Sequence, residues 1–192
     1  MPQNIAPPGL ISLLAAALAQ QPTKPLVLAL DGRCGSGKTT LANTLARQFP
    51  ASITLHTDDF YLPPAQRIRG WEKTPCANMD LARLRDEALR LAYAGQTVAY
   101  RAYSCREGAY LPPVQLPAQP LVILEGSYST AAPLRDAAGI RDLRKARADP
   151  ALTGAGGRTL RGFFRPVGAA GGGVFCAVWR CRKRGFCGGH HR

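Results

Sequence analysis

The chain has 192 residues, enough for one well-packed hydrophobic core and too few for two full domains. Its net charge of +13 is unevenly distributed: residues 1–139 contain 13 Lys and Arg against 10 Asp and Glu, whereas residues 140–192 contain 12 against 2. The basic character therefore belongs to the C-terminal segment, and it says little about the partners of the rest of the chain.

The cysteines and the N-terminus together predict a cytoplasmic protein. Cys34, Cys76 and Cys105 lie far apart with no paired spacing, which favours reduced thiols over a disulfide framework. The apolar residues 10–19 are too few to span a bilayer, and no Lys or Arg precedes them. Neither a membrane span nor a signal peptide is expected.

Helices and strands are predicted to alternate through the first two thirds of the chain. Apolar runs that end at Gly32 and Gly126 are typical of buried parallel strands, and Gly95 follows a segment with leucine at helical spacing. The predicted elements are, in chain order, a helix at residues 10–20, a strand at 25–32, a helix at 39–48, a strand at 52–57, a helix at 78–95, a strand or extended segment at 97–103 and a strand at 120–126.

This alternation indicates an α/β fold with a parallel sheet flanked by helices. Ligands of such sheets bind beyond the carboxyl ends of the strands. The polar motifs of the sequence follow three of the predicted strands: the glycine-rich residues 32–39, the pair Asp58 and Asp59, and Glu125. They are therefore expected to converge on one site.

Residues 32–39 read Gly-Arg-Cys-Gly-Ser-Gly-Lys-Thr and match the phosphate-binding pattern G-x-x-x-x-G-K-[ST] of P-loop NTPases. Backbone N–H groups of such a loop surround phosphate oxygens at the positive end of a helix. The side chain of Lys38 is expected to bridge the β- and γ-phosphates of ATP, and the Thr39 hydroxyl to bind Mg²⁺. The predicted nucleotide-binding residues are Gly32, Arg33, Cys34, Gly35, Ser36, Gly37, Lys38, Thr39 and Thr40.

The second motif, His-Thr-Asp-Asp-Phe-Tyr at residues 56–61, places two carboxylates after a strand. A carboxylate there can accept the proton of a substrate hydroxyl or hold the metal, and the alternative is an Asp-rich turn or helix cap. His56 is interpreted as a core residue of the strand.

The motifs DGRCGSGKTTLA, TDDFYLPPAQR, NMD and LEGSYS, in this order, resemble the uridine kinase-like family of P-loop kinases over about residues 10–138. The resemblance implies ATP-dependent phosphorylation of a nucleoside or similar small hydroxyl compound. It implies that Asp58 is the catalytic carboxylate and touches the metal shell, and that Glu125 holds Mg²⁺ through water. It further places Asp59, Tyr61, Asp80 and Tyr103 on the acceptor side, although Asp80 reads equally well as a first-turn helix acid and the tyrosines as packing residues.

Two departures from the family pattern stand out. Nucleoside kinases of this family carry an aspartate where this chain has Ser104, and a histidine some positions further on is absent, which puts uridine itself in doubt. From Ala137 onward the sequence supplies neither the next buried strand nor the arginine-bearing lid helix of the family. Such a lid would stabilise transition-state charge and exclude water.

Residues 140–192 hold 11 of the 20 glycines and show no helical or strand period, so they are expected to be disordered or translated out of frame. The sheet would then be incomplete after the Glu125 strand. A basic nucleic-acid-binding arm is an alternative. A zinc site is another, with the ligand candidates Cys176, Cys181, Cys187 and His190.

The sequence thus predicts a kinase core at residues 1–139 that uses ATP and Mg²⁺ to phosphorylate a small-molecule hydroxyl. Nucleic acid and membrane are not expected as partners. Two other functions remain open: a catalytically inactive nucleotide-binding remnant, and a nucleic-acid-binding protein that acts through its basic tail.

Overall fold

The computed structural model describes residues 8–138, 158–165 and 174–181, the last two segments as backbone strands. The helices and strands are α1 (Pro8–Ala19), β1 (Leu26–Asp31), α2 (Lys38–Gln48), β2 (Ser52–His56), α3 (Leu81–Arg83), α4 (Arg90–Tyr93), β3 (Val98–Ser104), β4 (Ala109–Leu116), β5 (Leu121–Glu125), α5 (Ala132–Ala137), β6 (Arg158–Arg165) and β7 (Val174–Cys181). A π-helical segment, Leu84–Leu89, joins α3 to α4, so the predicted helix at residues 78–95 is a composite of three parts.

The predicted α/β fold is confirmed. The main sheet has the strand order β2-β5-β1-β7-β6, in which β2, β5, β1 and β7 are parallel and β6 runs antiparallel to β7. All five residues of β5 are buried, as expected for a strand covered on both faces. The strands of the predicted site therefore end at the same edge of the sheet.

Each face of the sheet has its own hydrophobic core. Leu26, Leu28 and Leu30 of β1 pack with residues of α1 and α2 on one face. Val27 and Ala29 point to the other face, where the π-helical segment, α4, β3 and α5 cover them. Because its side chains alternate between the two faces, β1 packs against both helical layers, and this strand leads into the glycine-rich loop.

The strand predicted at residues 97–103 exists as β3, but it does not join the parallel sheet. It pairs antiparallel with β4 in a separate two-stranded sheet. β4 was not predicted because Pro112 and Pro113 argue against a strand, and both are tolerated here because, among the described strands, β4 pairs with β3 alone.

The C-terminal segment differs from the expectation. The sequence analysis expected no strand after Glu125, whereas β7 pairs with β1 from Val27↔Val174 to Asp31↔Val178, and β6 extends the sheet beyond it. The local reason is the apolar run at residues 174–179, which glycine content and positive charge obscured. Residues 139–157, 166–173 and 182–192 lie outside the described residues, as do the side chains of the zinc candidates. The out-of-frame interpretation therefore stays a prediction.

Within the described ranges, no helix is long and apolar enough to cross a membrane.

Hydrogen exchange tests the position of β7. Because β7 lies between β1 and β6, its amides should exchange about as slowly as those of the neighbouring strand β1. Mass spectrometry after deuterium labelling of the full chain measures this, with the fully buried β5 as the internal reference. Rapid exchange at residues 174–181, with protection kept in β1 and β5, would restore the expectation of an unstructured C-terminal segment.

Candidate functional site

The glycine-rich loop joins β1 to α2 and has the geometry of a phosphate cradle. Gly35 and Gly37 adopt positive φ angles of 70° and 92°, a conformation that glycine enters without strain. The N–H groups in the first turn of α2 have no intrahelical acceptor. Ser36 is buried, and its hydroxyl has no hydrogen-bond partner among the residues that the structure describes. Lys38 is also buried, and its Nζ donates to the carbonyl oxygen of Arg33 at 2.8 Å.

The other predicted residues of this loop differ in exposure. Arg33, Cys34, Gly35, Thr39 and Thr40 are exposed, whereas Gly32 and Gly37 are partly covered. Exposed residues thus surround the buried Ser36 and Lys38, an arrangement that suits a ligand whose charged group reaches these two side chains. The loop thus fits the phosphate chain of a nucleotide.

Glu125 connects the loop to the two neighbouring strand ends. It is buried at the end of β5, in register with Leu30 of β1 and His56 of β2. Its carboxylate accepts from Thr39 Oγ1, at 3.2 Å to Oε1 and 3.4 Å to Oε2, and lies 2.8 Å from His56 Nδ1. A hydroxyl and a carboxylate side by side are the hard oxygen ligands that Mg²⁺ prefers, so these residues fit the metal.

His56 corrects the sequence interpretation. Its side chain is 37% exposed and pairs with Glu125, so it is not a core residue. The hydrogen bond to Glu125 raises the pKa of His56, against the opposing effect of partial burial. Strand pairing was the missing signal, because a sequence does not show which residue of β5 lies opposite the end of β2.

Asp58 lies in the short 3₁₀ turn Thr57–Phe60 directly after β2. Although the residue is exposed, neighbouring protein atoms remove part of the water around its carboxylate, and this desolvation, together with the charge of Glu125, raises the pKa of Asp58. Desolvation and the neighbouring Asp58 in turn raise the pKa of Tyr61 to about 12. Asp58, Tyr61 and Glu125 therefore form one electrostatically coupled group, and a carboxylate of raised pKa is the better proton acceptor.

The other residues predicted on the acceptor side make contacts within the protein. Asp59 accepts a hydrogen bond of 2.6 Å from Tyr100 Oη, which ties the turn after β2 to β3. Asp80 caps α3 by accepting from the N–H of Arg83 at 2.9 Å. Tyr103 is buried, and its ring meets that of Tyr110 edge to face at 5.4 Å.

Arg83 connects α3 with the turn after β2 and with the β3–β4 hairpin. Its guanidinium lies 4.9 Å from the ring centre of Phe60 and 5.1 Å from that of Tyr110, and it donates to the carbonyl oxygen of Arg101. Cation–π contacts and this hydrogen bond hold the β3–β4 hairpin against α3. The hairpin is thereby fixed beside the turn that carries Asp58.

Asp31, the last residue of β1, was missed by the sequence analysis. Its Oδ1 accepts from the N–H groups of Gly32 at 2.7 Å and Tyr128 at 3.2 Å, and its Oδ2 accepts from both the N–H and the hydroxyl of Thr130. This carboxylate fastens the loop after β5 to the start of the glycine-rich loop. An aspartate inside an apolar run, directly before the first glycine, is the signal that could have shown it.

The fold and site define a P-loop kinase-like α/β protein. The structure is similar to that of a candidate uridine kinase from Bacillus stearothermophilus, with 25% identity and a TM-score of 0.55 over 66% of this chain and 74% of that one. It is also similar to a candidate fructose transport system kinase from Silicibacter sp. TM1040, with 23% identity and a TM-score of 0.55 over 68% and 70% of the two chains. No protein-family model and no curated protein matches the sequence.

Gly126 sets the distance between the ends of β2 and β5. It has a φ of 132°, and a Cβ atom there would overlap the hydroxyl oxygen of Thr57. Thr57 Oγ1 in turn donates to the carbonyl oxygen of Ser127 at 3.1 Å. Any side chain at position 126 would therefore push apart the turn that carries Asp58 and the strand that carries Glu125.

Gly126→Ala should lower the free energy of unfolding by more than Gly108→Ala. Gly108 also has a positive φ, of 64°, but nothing lies within 4 Å of its Cβ position. Left-handed strain alone costs about 1–2 kcal/mol, and overlap with Thr57 adds an overpacking cost of about 1–3 kcal/mol. Urea unfolding measures both variants. Equal losses would show that the approach of Thr57 does not constrain the site.

Proposed function

We propose that this protein transfers the γ-phosphoryl group of ATP to a hydroxyl group of a small molecule, and that this molecule is nucleoside-like. The convergence at the carboxyl edge of the sheet carries the proposal. There the glycine-rich loop after β1, Glu125 at the end of β5 and Asp58 after β2 meet, and Thr39 contacts Glu125 directly. A phosphate cradle, a metal-binding pair and a proton-accepting carboxylate are the parts that phosphoryl transfer requires.

Each residue has a defined part in the proposed reaction. The backbone of residues 33–39 binds and orients the phosphates, and Lys38 stabilises negative charge on the β- and γ-phosphates. Thr39 and Glu125, with Asp58 nearby, would hold Mg²⁺, which supplies further charge neutralisation when bound. Asp58 orients the acceptor hydroxyl and takes its proton, and its carboxylate interacts electrostatically with the neighbouring Tyr61.

Three observations support a nucleoside-like acceptor. The motifs at residues 32–40, 56–66, 78–80 and 124–129 resemble those of uridine kinase-like proteins, and a candidate uridine kinase is among the similar structures. In addition, the partly exposed Tyr61, directly after the turn that follows β2, and the partly exposed Tyr110 of the β3–β4 hairpin are aromatic. Ser104 replaces the family's aspartate, which favours an acceptor other than uridine itself.

Two assays distinguish this function from the two alternatives. ATP consumption with a panel of nucleosides, by the full chain as it stands, separates a kinase from an inactive nucleotide-binding remnant. Titration of the same chain with labelled single- and double-stranded nucleic acid tests binding by the basic C-terminal segment. Tight, salt-dependent binding with no turnover would favour the nucleic-acid-binding alternative.

Lys38→Ala should weaken ATP binding about ten- to hundredfold, because hydrogen bonds to charged groups contribute about 1.5–3 kcal/mol. Lys24→Ala is the matched control, since Lys24 is exposed and precedes β1 at the opposite end from the loop. Isothermal titration calorimetry gives both dissociation constants. Unchanged affinity in Lys38→Ala would remove the loop from the nucleotide site.

Asp58→Asn should leave ATP binding nearly intact and lower the rate of phosphoryl transfer about 10²–10⁴-fold, as loss of a general base does. Asp86→Asn controls for loss of a carboxylate, because Asp86 pairs with Arg85 and Arg90 on the surface. The rate of phosphoryl transfer is measured under single-turnover conditions. If Asp58→Asn kept full turnover and Asp59→Asn lost it, the two aspartates would have to exchange roles.

A further inference from the structure

We propose that His56 is a positioning residue, which holds the Glu125 carboxylate so that Oε2 faces the metal. The inference rests on the proposed function, since it concerns the site where Mg²⁺ would accompany ATP. It concerns a contact between two strands, β2 and β5, to which the sequence motifs give no role.

The contact is fixed by the sheet and not by a loop. His56 is the last residue of β2 and Glu125 the last of β5, and the parallel register places the two opposite each other. Side chains of such neighbours stand on the same face of the sheet, within reach of one another. Consequently the imidazole lies beside the carboxylate whenever the strands are paired.

The two carboxylate oxygens of Glu125 are engaged unequally. Oε1 lies 2.8 Å from His56 Nδ1 and 3.2 Å from Thr39 Oγ1, whereas Oε2 is 3.4 Å from Thr39 Oγ1. A carboxylate only accepts hydrogen bonds, so Nδ1 must carry the proton and donate it. His56 thereby occupies Oε1, and Oε2, which has only the longer contact to Thr39, keeps a lone pair that would accept from a water bound to the metal.

Removal of the imidazole would leave a buried carboxylate without its shortest hydrogen bond. Glu125 would then be free to rotate, and its contact with the side-chain hydroxyl of Thr39 would be weakened. Loss of a residue that orients a metal ligand typically lowers metal affinity about 10–100-fold. Among the described residues, His56 makes no hydrogen bond to residues 32–38, whose backbone forms the phosphate cradle, so binding of metal-free ATP should be nearly unchanged.

The experiment compares ATP binding with and without metal in the full chain. Dissociation constants for ATP are measured by calorimetry in excess EDTA and across a Mg²⁺ titration. The variants are His56→Ala, which removes the donor, and His56→Asn, whose amide nitrogen can take the place of Nδ1. Thr54→Ala is the control, because Thr54 lies two residues earlier on the same face of β2, opposite Ile123.

The expected result is specific to the metal. His56→Ala should bind ATP in EDTA as the wild type does, but need about 10–100-fold more Mg²⁺ for the same gain in affinity. His56→Asn should recover most of that loss, and Thr54→Ala should behave as the wild type. Equal Mg²⁺ dependence in His56→Ala and wild type would overturn the positioning role. A loss of ATP affinity in EDTA as large as the loss with Mg²⁺ would also overturn it.

Two further outcomes separate this inference from the function on which it rests. A wild-type chain that binds no ATP would overturn the proposed function and this inference together. A wild-type chain that binds ATP without any effect of Mg²⁺ would overturn the role of His56 and leave the nucleotide site in place.

Nitrogen-15 NMR of the wild-type imidazole gives a test that needs no folded variant. Nδ1 of His56 should be protonated and hydrogen-bonded both in the free chain and with Mg²⁺ and ATP present. An Nδ1 that carries no proton would contradict the proposed contact.

Discussion

The parallel pairing of β2, β5 and β1 determines where every part of the candidate site lies. In this register Glu125 is opposite Leu30 on one side and His56 on the other. The chain leaves β1 into the phosphate-binding loop one residue after Asp31 and leaves β2 into the turn that carries Asp58. A shift of one residue in the pairing would turn Glu125 to the opposite face and separate it from both Thr39 and His56. The register of these strands therefore decides which side chains of the candidate site can contact one another.

Close approach of the loops reinforces that register. The N–H of Gly126 donates to the carbonyl oxygen of Leu30 at 3.1 Å, while Thr57 occupies the space that a Cβ at position 126 would need. The Asp31 carboxylate accepts hydrogen bonds from three backbone N–H groups, one in the glycine-rich loop and two in the loop after β5. Hydrogen bonds that backbone N–H groups donate to a carboxylate are stronger than those between neutral groups, so they hold the loops more firmly. The strand ends are thus joined above the sheet as well as within it.

The sequence predicts those parts of this architecture that depend on local chemistry. The glycine-rich loop follows from residue types at fixed spacing, and the strand ends of Asp58 and Glu125 follow from apolar runs. Pairing between distant segments does not appear in such patterns. For that reason His56 was interpreted as a core residue, Asp31 was overlooked, β3 was assigned without its partner β4, and the strands β6 and β7 were not predicted. Each of these depends on which segment lies beside it.

The candidate site consists of two halves that are built differently, and this explains why one half is easier to predict from the sequence than the other. The nucleotide side is formed mainly by backbone N–H groups and residues at the ends of buried strands, so the fold itself specifies it. The proposed acceptor side lies beside the β3–β4 hairpin. The hairpin is attached through the contact of Asp59 with Tyr100 and through Arg83, which contacts Phe60, Tyr110 and Arg101. The hairpin is outside the main sheet, but Val98, Tyr100 and Ala102 of β3 pack in one core with β1, β2 and β5, so only substitutions at its outward-facing positions leave those strands undisturbed. Under the proposed function, a chain that keeps the phosphate-binding loop, Asp58 and Glu125 would retain the reaction while Ser104 and its neighbours alter the acceptor.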